Sequence, residues 1–171
     1  MKNFKELLTD IRAFAFDVDG VLSDTVVPMF PNGEPMRTAN IKDGYAIQLA
    51  VKLGYHVAII TGGSTEAVKV RFSMLGVTDI YMRQASKTGA YEEWKKKHNL
   101  TDNQILYMGD DMPDLPLLKR AGIAACPADA CIDVREASIY ISPFKGGHCC
   151  ARDVIEQTLR AQGNWGTDLT W

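Results

Sequence analysis

Apolar residues along this chain fall into short, nearly unbroken runs, separated by longer segments in which they recur every three or four positions. The runs predict strands over residues 13–17, 56–61, 79–82, 105–109, 123–125 and 138–141. They lack the alternation of a half-exposed strand, which is the mark of parallel strands buried on both faces. Helical spacing places Ala46, Leu49, Ala50 and Leu53 on one face of a segment that starts at Gly44 and stops at Gly54. Ser64 is positioned to cap a helix carrying Ala67, Val68, Arg71 and Leu75, ended by Gly76. Residues 87–98 read as a polar-faced helix and 101–104 as a capped turn. Pro113 suits the first turn of a helix through Arg120, and residues 148–162 form a last helix. Strand followed by helix, repeated, predicts an α/β fold built on a Rossmann-like parallel sheet with helices on both faces.

One segment breaks this rhythm. Residues 25–37 place apolar runs around Asn32-Gly33, a strong hairpin signal, while Pro28, Pro31 and Pro35 bar them from a central strand. The prediction is a projecting β-hairpin whose apolar residues need a cover, and another subunit would supply one. The tail over 163–171 carries Trp165 and Trp171 and either docks on a neighbouring surface or stays loose.

A length of 171 residues, 46% of them hydrophobic and 23% charged, suits a single domain over 1–171 with a proper core. The net charge of -2 and the lack of a long basic run argue against a nucleic-acid partner. Lys95-Lys96-Lys97 reads as a solvated helix face. No apolar run approaches the ~20 residues of a membrane span, and no signal-peptide core follows the N-terminus, so the expected location is cytoplasmic. Cys126, Cys131, Cys149 and Cys150 suit reduced thiols, and His148-Cys149-Cys150 suits packing better than metal ligation.

Candidate chemistry gathers at the ends of the strands. Asp17 and Asp19 flank Val18 where the first strand runs into Gly20. Extended geometry would put both carboxylates on one side. Like charges so close call for a cation, and a hard divalent ion with oxygen ligands is the natural one; a plain Asp-Gly turn is the bland reading. Thr61-Gly62-Gly63-Ser64 follows the second strand, and Gly109-Asp110-Asp111 with Asp114 follows the fourth. With a strand order of 3-2-1-4-5, these three ends are neighbours and form one site at the point where strand order reverses.

The set resembles the haloacid dehalogenase superfamily of phosphatases. Asp17-Val18-Asp19-Gly20 matches its first motif, Thr61 its second, Lys87 its third, and Gly109-Asp110-Asp111 with Asp114 its acidic fourth. Asn32-Gly33-Glu34, Asn40-x-Lys42-Asp43-Gly44 and Gly146-Gly147-x-x-x-Ala151-Arg152-Asp153 resemble the branch of 3-deoxy-D-manno-octulosonate 8-phosphate phosphatases. That branch has no cap domain, forms tetramers and serves lipopolysaccharide synthesis. The intervals between motifs here are likewise too short for a cap.

The resemblance implies a magnesium-dependent phosphatase for a sugar acid phosphate, in a homotetramer whose neighbouring subunits close each site. It implies Asp17 as nucleophile and Asp19 as proton shuttle. Magnesium would rest on Asp17, Asp19 (through its main-chain carbonyl) and Asp110, with Asp111 or Asp114 behind them. Thr61, Gly62 and Lys87 would hold phosphate. Gly63, Lys42, Arg37 and Arg152 are candidates for the sugar acid. Where many members of the branch have Thr-Gly-Arg, this chain has Thr61-Gly62-Gly63, so a nonulosonate 9-phosphate is the competing substrate. From another class, the competing reading is a non-catalytic binding or oligomerisation module.

Overall fold

The computed structural model describes residues 3–166. Six strands, β1 (Ala13–Phe16), β2 (His56–Ile60), β3 (Asp79–Tyr81), β4 (Ile105–Met108), β5 (Ile123–Cys126) and β6 (Tyr140–Ile141), form one parallel sheet in the order 3-2-1-4-5-6. The predicted order of five holds, and β6 extends it at one edge. Each predicted strand ends within a residue or two of its observed bounds: continuous apolar runs mark the fully buried β1, β4 and β5 clearly, and the edge strands β3 and β6, only partly buried, still carry enough apolar residues to be read.

Among the described residues seven α-helices cover the two faces: α1 (Phe4–Leu7), α2 (Ile41–Lys52), α3 (Glu66–Met74), α4 (Lys87–Lys97), α5 (Leu115–Leu118), α6 (Ile132–Ala137) and α7 (Cys150–Ala161). Strand side chains alternate between two cores. Phe14, Phe16, Leu106 and Met108 pack beneath α2, α3 and α7. Ala13, Ala15, Ile105 and Tyr107 pack on the other face with Tyr91 and Trp94 of α4, Leu117 and Leu118 of α5, and Val134 of α6.

Several boundaries differ from expectation. Asn40, whose Oδ1 accepts from the main-chain N–H of Lys42 and Asp43, starts α2 three residues before Gly44. A Cβ at Gly44 would lie 2.4 Å from Nη2 of Arg71, so this glycine serves close packing inside the helix rather than its entry. Thr65, not Ser64, precedes α3, and α7 begins at Cys150 after left-handed backbone at Gly147 and Cys149. The hairpin is looser than predicted. A single antiparallel bridge pairs Met29 with Pro35 around a turn in which Gly33 has a φ of +84°. Trp165 of the tail receives the guanidinium groups of Arg152 and Arg160 on its ring, and Trp171 lies outside the described residues.

The entries of α2 and α7 are tied together by a buried carboxylate. Asp43 accepts from the main-chain N–H of Arg152 at 2.7 Å and of Cys149 at 3.3 Å, while the Asn40 amide donates to the carbonyl of Gly147. Burial pushes the Asp43 pKa up to about 6, against the pull of those two donors. The folded state therefore favours the neutral acid. The stabilisation is complete below pH ~4 and is lost as pH rises through about 6, worth about 3 kcal/mol. Urea titrations at pH 4.5 and 7 should show this fall in the wild type and a smaller one in Asp43→Asn.

Candidate active site

The central strand β1 pairs with β2 on one side and β4 on the other, so the chain reverses its direction across the sheet beside β1. Ligands of open α/β sheets bind at the carboxyl end of such a point. Asp17 leaves β1 there, its N–H donating to the carbonyl of Met108. A cleft of about 790 Å³ opens above it, lined by Asp17, Asp19, Arg37, Thr61, Gly62, Gly63, Lys87, Asp110, Asp111 and Asp114 among others.

Glycines let the acidic loops approach one another. Gly20 has a φ of +78°, and a Cβ there would lie 2.0 Å from Oδ2 of Asp110. Gly146 packs on the carbonyl of Gly20, and the Gly147 N–H donates to the carbonyl of Val21. The Cys150 thiol donates to the same carbonyl. His148-Cys149-Cys150 thus belongs to a brace behind the first acidic loop, with His148 reaching Asp24 at 3.0 Å.

Lys87 is the cation at the floor of the site. Its side chain is 4% exposed, and Nζ lies 2.7 Å from Asp17 and 2.6 Å from Asp114. Asp114 is fully buried and saturated. One oxygen accepts from Lys87 and the Tyr107 hydroxyl, the other from the main-chain N–H of Asp110 and Asp111. Asp114 therefore shapes the fourth acidic loop and anchors the lysine. Tyr107, which sequence reasoning missed, is signalled by a hydroxyl inside an otherwise apolar strand, since a buried Tyr needs a partner. The Thr61 hydroxyl accepts from the Gly63 N–H at 3.0 Å, leaving its proton free to donate into the cleft.

Carboxylates outnumber cations at the floor. Asp17, Asp110 and Asp114 bring oxygens within 4.8 Å of one another, and three carboxylates against one ammonium leave an excess of two negative charges. Burial, then Asp114, push the Asp17 pKa up to about 7 despite Lys87. Burial, then the charge of Asp17, do the same for Asp110. A cluster of hard oxygen donors with this charge fits a divalent cation. Each Asp114 oxygen already accepts from two protein donors, whereas each Asp17 oxygen accepts from one, Val18 N–H or Lys87, so Asp17 and Asp110 are the ones with lone pairs left to hold it.

Two predicted contacts stand elsewhere. Lys42 and Arg152 line a separate groove of about 420 Å³ along α7, where Arg152 pairs with Glu156. The Asp19 carboxylate is also outside the acidic cluster, because Arg37 from the hairpin holds both its oxygens, at 2.8 and 2.9 Å.

Comparison with known proteins agrees with this geometry. Residues 64–146 match the family model of haloacid dehalogenase-like hydrolases. The chain is 36% identical over 154 residues to the 3-deoxy-D-manno-octulosonate 8-phosphate phosphatase of Escherichia coli K12, covering 90% of this chain and 82% of that one. The chain belongs to the haloacid dehalogenase-like hydrolases. Within that family it is a phosphoric monoester hydrolase of the branch that contains this relative. The crystal structure of the Yersinia pestis 3-deoxy-D-manno-octulosonate 8-phosphate phosphatase superposes with a TM-score of 0.91 at 32% identity, covering 95% of this chain and 88% of that one. The Moraxella catarrhalis enzyme, solved with magnesium, phosphate and its sugar acid, gives 0.89 at 34%, covering 94% and 92%. As in a capless hydrolase, the described interval between Ser23 and Thr61 holds the hairpin, α2 and β2, and that between Ser64 and Lys87 holds α3 and β3.

Proposed function

We propose that this hydrolase releases phosphate from 3-deoxy-D-manno-octulosonate 8-phosphate, as a step in making a lipopolysaccharide precursor in the cytoplasm. The observation that carries the chemistry is the Asp17–Lys87–Asp114 array beside Asp110. The sugar rests on the named relatives and on the cationic Arg37 beside Gly63 in the same cleft. No helix among the described residues is long and apolar enough to cross a membrane.

Asp17 is the nucleophile. Lys87 fixes one of its oxygens and the Val18 N–H donates to the other at 2.7 Å, which orients the carboxylate for in-line approach. One Asp17 oxygen forms a bond to phosphorus as the bond from phosphorus to the sugar oxygen breaks, giving an aspartyl-phosphate. Asp19 gives its proton to the departing oxygen. It then takes a proton from water, whose oxygen displaces Asp17 from phosphorus. The Thr61 hydroxyl, the Gly62 N–H and Lys87 hold the phosphoryl oxygens. Magnesium, on Asp17, Asp110 and the Asp19 carbonyl, would neutralise charge so that an anionic nucleophile can meet an anionic phosphate. Asp111, whose carboxylate accepts from the Met112 N–H at the rim, would orient water around that ion.

The chain would act as one domain within a homotetramer. Val26, Met29, Phe30 and Met36 of the hairpin and Val70 and Met74 of α3 are exposed apolar side chains that a second copy would cover. A solution-mass measurement is expected to give four chains, and a fully active monomer would contradict the shared site.

The substrate is tested by phosphate release from a panel of sugar phosphates with magnesium and with excess chelator. The eight-carbon acid is expected to react fastest, and chelation to lower the rate by at least about 100-fold. A clear preference for a nonulosonate 9-phosphate would overturn the substrate, and activity that survives chelation would overturn the metal.

A further inference from the structure

Arg37 and Asp19 form a contact in the cleft that opposes the reaction as drawn. Nε of Arg37 donates to Oδ1 of Asp19 at 2.8 Å and Nη2 to Oδ2 at 2.9 Å, a two-pronged fork on a carboxylate. Both oxygens of Asp19 are occupied, and a carboxylate held in this way cannot also reach the bridging oxygen of a substrate. Arg37 itself is seated. Its side chain is 10% exposed, and Nη1 donates to the Thr65 hydroxyl, which donates in turn to Glu34 across the hairpin.

Gly63 makes the seat possible. A Cβ at this position would lie 2.7 Å from Nη2 of Arg37 and 3.0 Å from its Cζ, so the guanidinium occupies the space a side chain at 63 would fill. The Thr61-Gly62-Gly63 turn therefore leaves room for a cation delivered by the hairpin. That cation stands over the same wall of the cleft that Thr61 and Gly62 form.

We infer that Arg37 is a carboxylate-exchange switch: Asp19 holds it in the free enzyme, and the carboxylate of a sugar acid phosphate takes Asp19's place. A guanidinium fork accepts either carboxylate with the same geometry, so the exchange swaps one pair of charge-assisted hydrogen bonds for another. Asp19, released, takes up a proton from solvent and turns to the leaving oxygen, to which it gives that proton. A phosphate ester without a carboxylate occupies the cleft but leaves Asp19 on Arg37. Discrimination for acidic sugars then lies in arming the site as well as in binding. The inference rests on the proposed reaction on a sugar acid phosphate.

The test is the ratio of kcat/KM for 3-deoxy-D-manno-octulosonate 8-phosphate to that for ribose 5-phosphate, which lacks a carboxylate. In Arg37→Ala the acidic substrate is expected to lose about 100-fold, the share of a lost charged fork. The ester without a carboxylate is expected to gain about threefold or more, because Asp19 no longer starts out bound. Arg37→Lys, which keeps the charge but not the fork, should fall between. Gly63→Ala pushes the guanidinium aside without removing it, and should shift the ratio in the same direction while the thermal midpoint stays near that of the wild type. A ratio that stays within about threefold of wild type in Arg37→Ala and Gly63→Ala overturns the switch and reduces Arg37 to a brace for the hairpin. The two readings fail separately. A wild type that does not prefer the acidic ester defeats the proposed substrate and the switch with it. A wild type that prefers it and variants that keep the ratio defeat the switch alone.

Discussion

Asp17→Asn is expected to lower kcat by about 10⁴-fold or more, with the remaining rate below that of any other single variant at the site. The amide keeps the shape of the carboxylate and can still meet Lys87, but it cannot form the aspartyl-phosphate. Stability should move little. Asp17 is buried, and burial raises its pKa to about 7, so the wild-type charge is itself costly to hold. Lys87 also keeps Asp114 as a partner at 2.6 Å. Steady-state kinetics together with a thermal melt separate the two effects. A variant that retains a tenth of wild-type activity would remove Asp17 from the role of nucleophile.

Lys87→Met should show the opposite balance, with fold and activity lost together. Nζ bridges two carboxylates whose side chains are 11% and 0% exposed, so its removal leaves like charges buried side by side without a cation. Breaking a buried pair in this way costs about 3–5 kcal/mol. The pH dependence has a definite sign. Without the ammonium, which lowers the Asp17 pKa, the folded state favours protonated Asp17 still more strongly and raises its pKa further above that of the unfolded chain. The variant should therefore recover stability as pH falls toward 5 and lose it as pH rises toward 8. Urea midpoints at the two pH values check this. Equal midpoints, or a variant as stable as wild type at pH 8, would mean that Lys87 does not compensate the acidic cluster.

Much of this was legible from the chain because strong, local physics carried it. Six strands announced themselves as apolar runs, and the carboxylates at their ends could be placed once the strand order was assumed. Short elements were not legible. Neither α1 nor α6 was anticipated, since four and six residues give too few turns for a periodic pattern. Gly44 read as a helix entry, although its cause is Arg71, which reaches it from another helix. The site divides in the same way. Asp17, Thr61, Lys87 and Asp110 each sit at the end or start of a regular element, where position along the chain implies position in space. The fork between Arg37 and Asp19 spans 18 residues and depends on how a loose hairpin folds back, which no local pattern encodes. Lys42 and Arg152 carried the right charge for a sugar acid but face the groove along α7.

The central claim is that phosphate passes through Asp17. The direct measurement is to mix the enzyme and magnesium with substrate labelled in its phosphate, quench in acid within a single turnover, and locate the label by peptide mass spectrometry. A transient phosphoryl adduct on the peptide carrying Asp17, absent in Asp17→Asn, is the predicted result. Label that appears directly as inorganic phosphate, or an adduct on any other residue, would contradict it.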